Sequence, residues 1–194
     1  GCPELMVQGV HSAEDLAPSL EQADVIAIGP GLGQDAWAFE LWSAVLSTNK
    51  PLIVDADALN LLALHPQRCD HWVLTPHPGE AARLLASNTA AIQAARLNSA
   101  QSLVDQYGGV VLLKGASTWV AALNELPAVC DRGNPGMAAP GMGDVLTGII
   151  AGIAAQQADV KGGLWQSACT GVYVHALAGD RAAQKGYRGM RASD

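Results

Sequence analysis

Charged side chains are scarce in this sequence: Asp, Glu, Lys and Arg together make up 15% of it, against 49% apolar residues. This excludes a disordered or solvating chain, which buries too little apolar surface to offset its conformational entropy. Basic residues are scarcer still, 11 Lys and Arg against 18 Asp and Glu, for a net charge of −7. Phosphate-backbone binding needs clustered cations, so a general nucleic-acid surface is excluded and any phosphate must be held locally. Cysteine is limited to Cys2, Cys69, Cys130 and Cys169, with no C-x-x-C pair and no Cys/His metal spacing. These thiols are expected to be reduced and mostly buried, as in a cytoplasmic protein. No apolar run approaches the roughly 18 residues of a membrane span. Residues 1–10 lack the basic start and apolar stretch of a secretory signal, so a soluble protein without membrane association is expected. There is no internal repeat and no linker, and 194 residues suit one domain.

What the sequence does have is alternation. Short runs rich in Val, Ile and Leu, at residues 24–28, 52–55, 72–75 and 110–114, alternate with stretches of helical period. The helices are expected at 35–47, 57–64 and 79–107, the last broken near 87–89. Ile92, Ala95, Ser99 and Leu103 define one face of it. The pattern is that of βα units on a mostly parallel sheet with helices on both faces, an α/β fold of three layers. Residues 118–123 and 127–131 suit an antiparallel hairpin at the sheet edge. Helices at 143–156 and 163–184 complete the order. The 21 glycines and 10 prolines fall between the apolar runs, and function is expected on those loops.

Five of these loops can carry chemistry. In Gly141-Met142-Gly143-Asp144 the glycines let backbone amides turn inward at a helix start, which binds anions without a net positive charge. Asp144, in the first helical turn, can deprotonate a substrate hydroxyl while the amides stabilise a transferring phosphoryl group; alternatively it only caps the helix. Gly29-Pro30-Gly31-Leu32-Gly33 follows a strand but lacks G-x-G-x-x-G spacing, leaving a close approach to a ligand or a tight turn. His77, between Pro76 and Pro78, sits on a stiff extended backbone that suits a positioned hydrogen-bonding group, or is simply exposed. Glu80 follows it and either has a role in the site or begins a helix. Asp55 and Asp57 end a strand, with Asp57 as a helix cap or both carboxylates as metal- or phosphate-site electrostatics. Lys114, followed by Gly115, Ala116, Ser117 and Thr118, ends a strand where it can meet a nucleotide, or is a surface lysine.

In this order, Gly29-Pro-Gly-Leu-Gly33, Val54-Asp-Ala-Asp-Ala-Leu-Asn60, Thr75-Pro-His-Pro-Gly-Glu80, Leu113-Lys-Gly-Ala-Ser-Thr118 and the run from Gly133 to Gly148 resemble the ADP-dependent (S)-NAD(P)H-hydrate dehydratase family. The resemblance covers nearly the whole chain. It implies a ribokinase-like fold and an enzyme that phosphorylates a hydrated NADH or NADPH with ADP (or ATP), then releases phosphate to restore the ring. It further implies Asp144 as the catalytic base and Gly141, Met142 and Gly143 as the anion hole. Lys114, Gly115, Ala116, Ser117, Thr118 and Gly143 would contact the nucleotide, and Gly33, His77 and Asp144 the substrate. Glu80 would help hold Mg²⁺ through water. A homo-oligomer, a tetramer in the family, is implied as well.

Two departures stand out. The family's domain starts with a further glycine- and alanine-rich segment, so the chain is expected to be an N-terminally incomplete domain. Ala139-Pro140 replaces Thr or Ser followed by Gly, and Pro140 has no N–H to offer an anion. Loss of one oxyanion donor elsewhere costs on the order of 10² to 10³ in rate. Two other readings stay open: a ribokinase-like kinase of a vitamin-precursor alcohol, and a non-catalytic nucleotide-binding fragment.

Overall fold

Parallel strands that follow one another across a sheet in chain order, through crossovers of one hand, carry their connecting helices on a single face. A computed structural model, describing residues 5–157 and 163–194 and only the backbone of Lys185, has this arrangement. After helix α1 (Ala13–Gln22), strands β1 (Ile26–Ile28), β2 (Leu52–Val54), β3 (Trp72–Leu74) and β4 (Val110–Leu113) pair in parallel in that order. The crossovers are α2 (Ala36–Leu46), α3 (Ala56–Leu64) and the group α4 (Pro78–Leu84), α5 (Thr89–Ala94) and α6 (Arg96–Tyr107). Strands β5 (Thr118–Ala122) and β6 (Ala128–Cys130) add the expected antiparallel hairpin at the edge. A 3-10 turn at Pro135–Met137 leads to α7 (Met142–Ala154) and α8 (Leu164–Ala182).

Strands β2, β3 and β4 are buried on both faces, so their side chains divide by parity. Leu52, Val54, Trp72, Leu74, Val111 and Leu113 pack with Trp42, Leu59, Leu103 and Tyr107 of the crossover helices. Ile53, Val73, Val110 and Leu112 point the other way, onto Leu146, Ile150, Ala168 and Val172 of α7 and α8. Two cores on opposite sides of one sheet give the three-layer α/β/α order expected from the alternation. None of the described helices is long and apolar enough to cross a membrane.

Several local expectations are corrected. Helix α1 was not among the expected elements. Pro18 interrupts its signal and none of its residues is fully buried; only Leu16 and Leu20, one turn apart, rest on the core. The stretch from 79 to 107 holds three helices, because Ala95, at φ −136° and ψ 50°, ends α5 and precedes α6. Ala95 is therefore exposed instead of sharing a face with Ile92, Ser99 and Leu103, which are buried. Cys69, Cys130 and Cys169 are half-buried and not buried as expected, and Cys2 lies outside the described residues. Burial, aided by the charge of Glu125, raises the Cys169 thiol to about 11, which keeps it protonated at neutral pH.

The chain leaves β1 at Gly29, where φ is +131° and an added Cβ would fall inside the carbonyl oxygen of Asp55. Left-handed strain and a clash with backbone that cannot rotate away act together. Gly29→Ala is expected to cost at least ~2 kcal/mol, read as a lower urea midpoint with an unchanged slope. An unchanged midpoint would mean that β1 and β2 do not approach this closely.

Candidate functional site

Asp55, Thr75 and Lys114 lie one residue past the ends of β2, β3 and β4, on one edge of the sheet. Asp55 is 1% exposed. The Lys114 ammonium donates to its Oδ1 at 2.7 Å, and the Thr147 hydroxyl, from the second turn of α7, donates to its Oδ2 at 2.8 Å. Burial alone would raise the Asp55 pKa, but the Lys114 charge and these hydrogen bonds bring it below the usual carboxylate value. The next residue, Ala56, takes φ 45°, an uncommon left-handed conformation for a residue with a side chain.

Lys114 faces a second buried carboxylate, Glu80, at 3.9 Å. Burial raises the Glu80 pKa, opposed by Lys114 and by the His77 amide, which donates to Oε2 at 2.7 Å. His77 is the N-cap of α4: its Nδ1 accepts from the amides of Gly79 at 2.9 Å and Glu80 at 3.3 Å, which completes a capping box. The helix consequently starts at Pro78, one residue before the expected Gly79. Asp57 does not cap α3 as the sequence allowed, since the N-cap is Asp55. Its carboxylate instead takes the Gly33 amide at 2.9 Å and ties the Gly29–Gly33 turn to α3.

Helix α7 opens at Gly141, whose φ of +84° only glycine adopts without strain. The Met142 amide is directed at the Ala139 carbonyl at 3.4 Å, whereas those of Gly141, Gly143 and Asp144 have no acceptor among the described residues. An added Cβ at Gly143 would sit 3.3 Å from Lys114 Nζ and 3.5 Å from Asp55 Oδ2, so this backbone lies directly over the ion pair. Asp144 is exposed and makes no hydrogen bond or ion pair to a described residue.

Beside this helix start is a cavity of about 460 Å³. Lys114, Gly115, Ala116 and Thr118 line one side, Met142, Gly143 and Leu146 another, and Val172, His175 and Ala176 of α8 a third. The wall from Gly133 to Met137 is held to α8 by Asp180, which accepts the Gly133 amide at 3.1 Å and the Asn134 side chain at 3.2 Å. Ser117, Gly33, His77, Glu80, Gly141 and Asp144 are not part of the lining. A larger cavity, about 1070 Å³, lies along α8 with Arg181, Arg188 and Met190 and contains none of the expected residues.

His175 is the residue that sequence reasoning missed. Its Nε2 is buried with no partner among the described residues, and burial lowers its pKa against a bond to the Met142 backbone. Spacing alone could have placed it on the inward face of α8, since Val172, Ala176 and Gly179 lie three, one and four residues away. No group of three or more His, Cys, Asp or Glu suited to a metal occurs among the described residues.

The three-layer arrangement of a six-stranded, mostly parallel sheet with helices on both faces is a ribokinase-like fold. A ribokinase-like superfamily protein of Enterococcus faecalis V583 shares it with a TM-score of 0.83 and 35% identity, covering 99% of this chain and 67% of that one. The chain belongs to the Carb_kinase family, NAD(P)H-hydrate dehydratase, whose model matches residues 1–194. Among relatives, the bifunctional NAD(P)H-hydrate repair enzyme Nnr of Escherichia coli K12 is 49% identical over 99% of this chain and 36% of its own length. An ADP/ATP-dependent NAD(P)H-hydrate dehydratase of Bacillus subtilis, co-crystallised with ATP/Mg²⁺ and soaked with CoA, matches with TM-score 0.75 and 29% identity. That match covers 87% of this chain and 61% of the other. The chain spans 36% to 39% of the length of the first curated relatives it matches.

Removing the Asp55 charge strands Lys114, so Asp55→Asn is expected to destabilise the fold by about 3 kcal/mol at neutral pH. With its folded pKa depressed below 3.8, the Asp55 contribution is full above that value and is lost as pH falls through the folded pKa. The variant should therefore lose less stability than the parent during acid titration below about pH 4. Parallel stability–pH curves would show that the ion pair contributes nothing.

Proposed function

We propose that the chain is the dehydratase part of a nicotinamide-nucleotide repair enzyme that returns (S)-NADHX and (S)-NADPHX to NADH and NADPH. The observation that carries this is the exposed, uncommitted carboxylate of Asp144 beside the acceptor-free amides of α7 and the adjoining cavity, in a chain of this family. Lys114, Gly115, Ala116 and Thr118, which line the cavity, and Ser117, beside it in the same loop, hold ADP, with the phosphates directed at Gly141, Met142 and Gly143. Asp144 takes the proton of the ring hydroxyl as its oxygen attacks the β-phosphorus of ADP and AMP leaves. The ring C–O bond then breaks, phosphate departs with the electron pair, and loss of a ring proton restores the double bond. The helix-start amides hold the negative charge that moves through both steps. Gly33 and His77 contact the hydrated dinucleotide outside the cavity.

Both oxygens of Glu80 already face His77, which suits a water-mediated bond to Mg²⁺ and not a direct one. Bound there with the nucleotide phosphates, the cation would neutralise part of their charge. A cytoplasmic homo-oligomer, a tetramer, completes the proposal.

Incubating the chain with hydrated NADH and ADP and following the return of reduced-nicotinamide absorbance tests the reaction. Asp144→Asn is expected to lower kcat by at least ~10²-fold while ADP affinity stays within a few fold. A variant with most of its turnover would reject Asp144 as the base. Consumption of ADP with a stable phosphorylated alcohol as product would instead make the chain a kinase.

A further inference from the structure

The loop that joins β4 to β5 has its carbonyl groups drawn to one side. Arg96, the first residue of α6, donates through one guanidinium nitrogen to the carbonyls of Leu113 at 3.1 Å, Lys114 at 3.1 Å and Ser117 at 2.9 Å. Its other terminal nitrogen is anchored on Gln93 Oε1 at 2.7 Å. The Gly115 carbonyl is taken inside the loop by the Thr118 hydroxyl at 3.3 Å. By contrast, the amides of Gly115, Ala116 and Ser117 have no acceptor among the described residues. Where consecutive carbonyls are bound on one side, the amides between them are presented to the other, which is how a backbone turn makes an anion-binding concavity.

Arg96 is not part of the cavity lining. An added Cβ at Gly115 would sit 2.6 Å from its guanidinium, so the loop backbone rests on the charge with nothing between. No ion pair to a described carboxylate balances this cation. Burial lowers the Arg96 pKa, yet a guanidinium stays charged at neutral pH. Three carbonyl dipoles hold the charge in place without cancelling it. An anion on the cavity side of the loop would complete its compensation.

We propose that Arg96 is a positioning residue for nucleotide binding: it fixes the loop so that the amides of Gly115, Ala116 and Ser117 meet a nucleoside diphosphate, and it adds a positive field behind them. This rests on the reading of the cavity as the nucleotide site. Lysine cannot replace it, because one ammonium on an unforked stem cannot hold the three carbonyls while a second nitrogen stays anchored on Gln93.

The test compares the chain with its Arg96→Lys and Arg96→Ala variants by ADP calorimetry, amide hydrogen exchange with and without ADP, and thermal unfolding. In the ligand-free Lys variant, exchange at residues 115–118 is expected to quicken while the core helices stay protected, and the ADP Kd is expected to rise about tenfold or more. Added guanidinium is expected to restore part of the affinity of the Ala variant, which a general loss of packing would not allow. Parent-like ADP affinity and loop exchange in Arg96→Lys would overturn the proposal and leave the nucleotide reading intact. If the parent chain itself shows no ADP affinity and no protection at 115–118, the nucleotide reading falls, and the role of Arg96 falls with it.

Discussion

The Asp55 carboxylate is the constraint on which the site depends. It is buried at the end of β2, where an unpaired charge would be too costly to keep, so the fold must bring partners to it. Lys114 comes from the end of β4 and Thr147 from α7, which belongs to the opposite helical layer. One carboxylate thereby fixes a strand end to the helix whose first turn lies over it. Buried ion pairs contribute modestly to stability against apolar replacements, and their better-attested role is to fix register. Here the register at stake is the seating of Gly143 over the pair, where an added Cβ would come to 3.3 Å from Lys114 Nζ.

The same constraint explains how a chain of net charge −7 can offer places for anions. Lys114, the lysine of the cavity wall, is held between Asp55 and Glu80, so its charge is largely spoken for. Besides Arg132 of the lining, what remains is backbone: acceptor-free amides at Gly141, Gly143 and Asp144, and a second set at Gly115, Ala116 and Ser117. Oriented amides supply fixed partial positive charge without altering the net charge of the surface. Pro140 removes one donor next to the first set, and Gly115 and Ala116 of the second set line the same cavity as Gly143.

Local features of the sequence determined a good deal. Strand and helix alternation is written in side-chain period and in glycine and proline punctuation, and both act over a few residues. The four parallel strands, the edge hairpin and the helix starting beside Gly141 were therefore legible. The G-x-G-D run was legible as a glycine-led helix start because its glycines and carboxylate are neighbours in the chain. Weak local signals failed where they should: α1 contains Pro18 and buries nothing completely, and the helix break at Ala95 has no glycine or proline to announce it.

Tertiary structure alone decided which distant groups meet. Asp55 and Lys114 are separated by 59 positions and Asp55 and Thr147 by 92, and no periodicity relates them. Asp57 could be read as a helix cap from its place after a strand, yet its carboxylate is spent on the Gly33 amide, a pairing created when β1 and β2 became neighbours. Nothing in the local sequence sets Arg96 or His175 apart. Each acquires its place only when α6 packs behind the β4–β5 loop and α8 closes the cavity. Burial and hydrogen-bond demand belong to the assembled sheet, and only there does a polar side chain find, or lack, a partner.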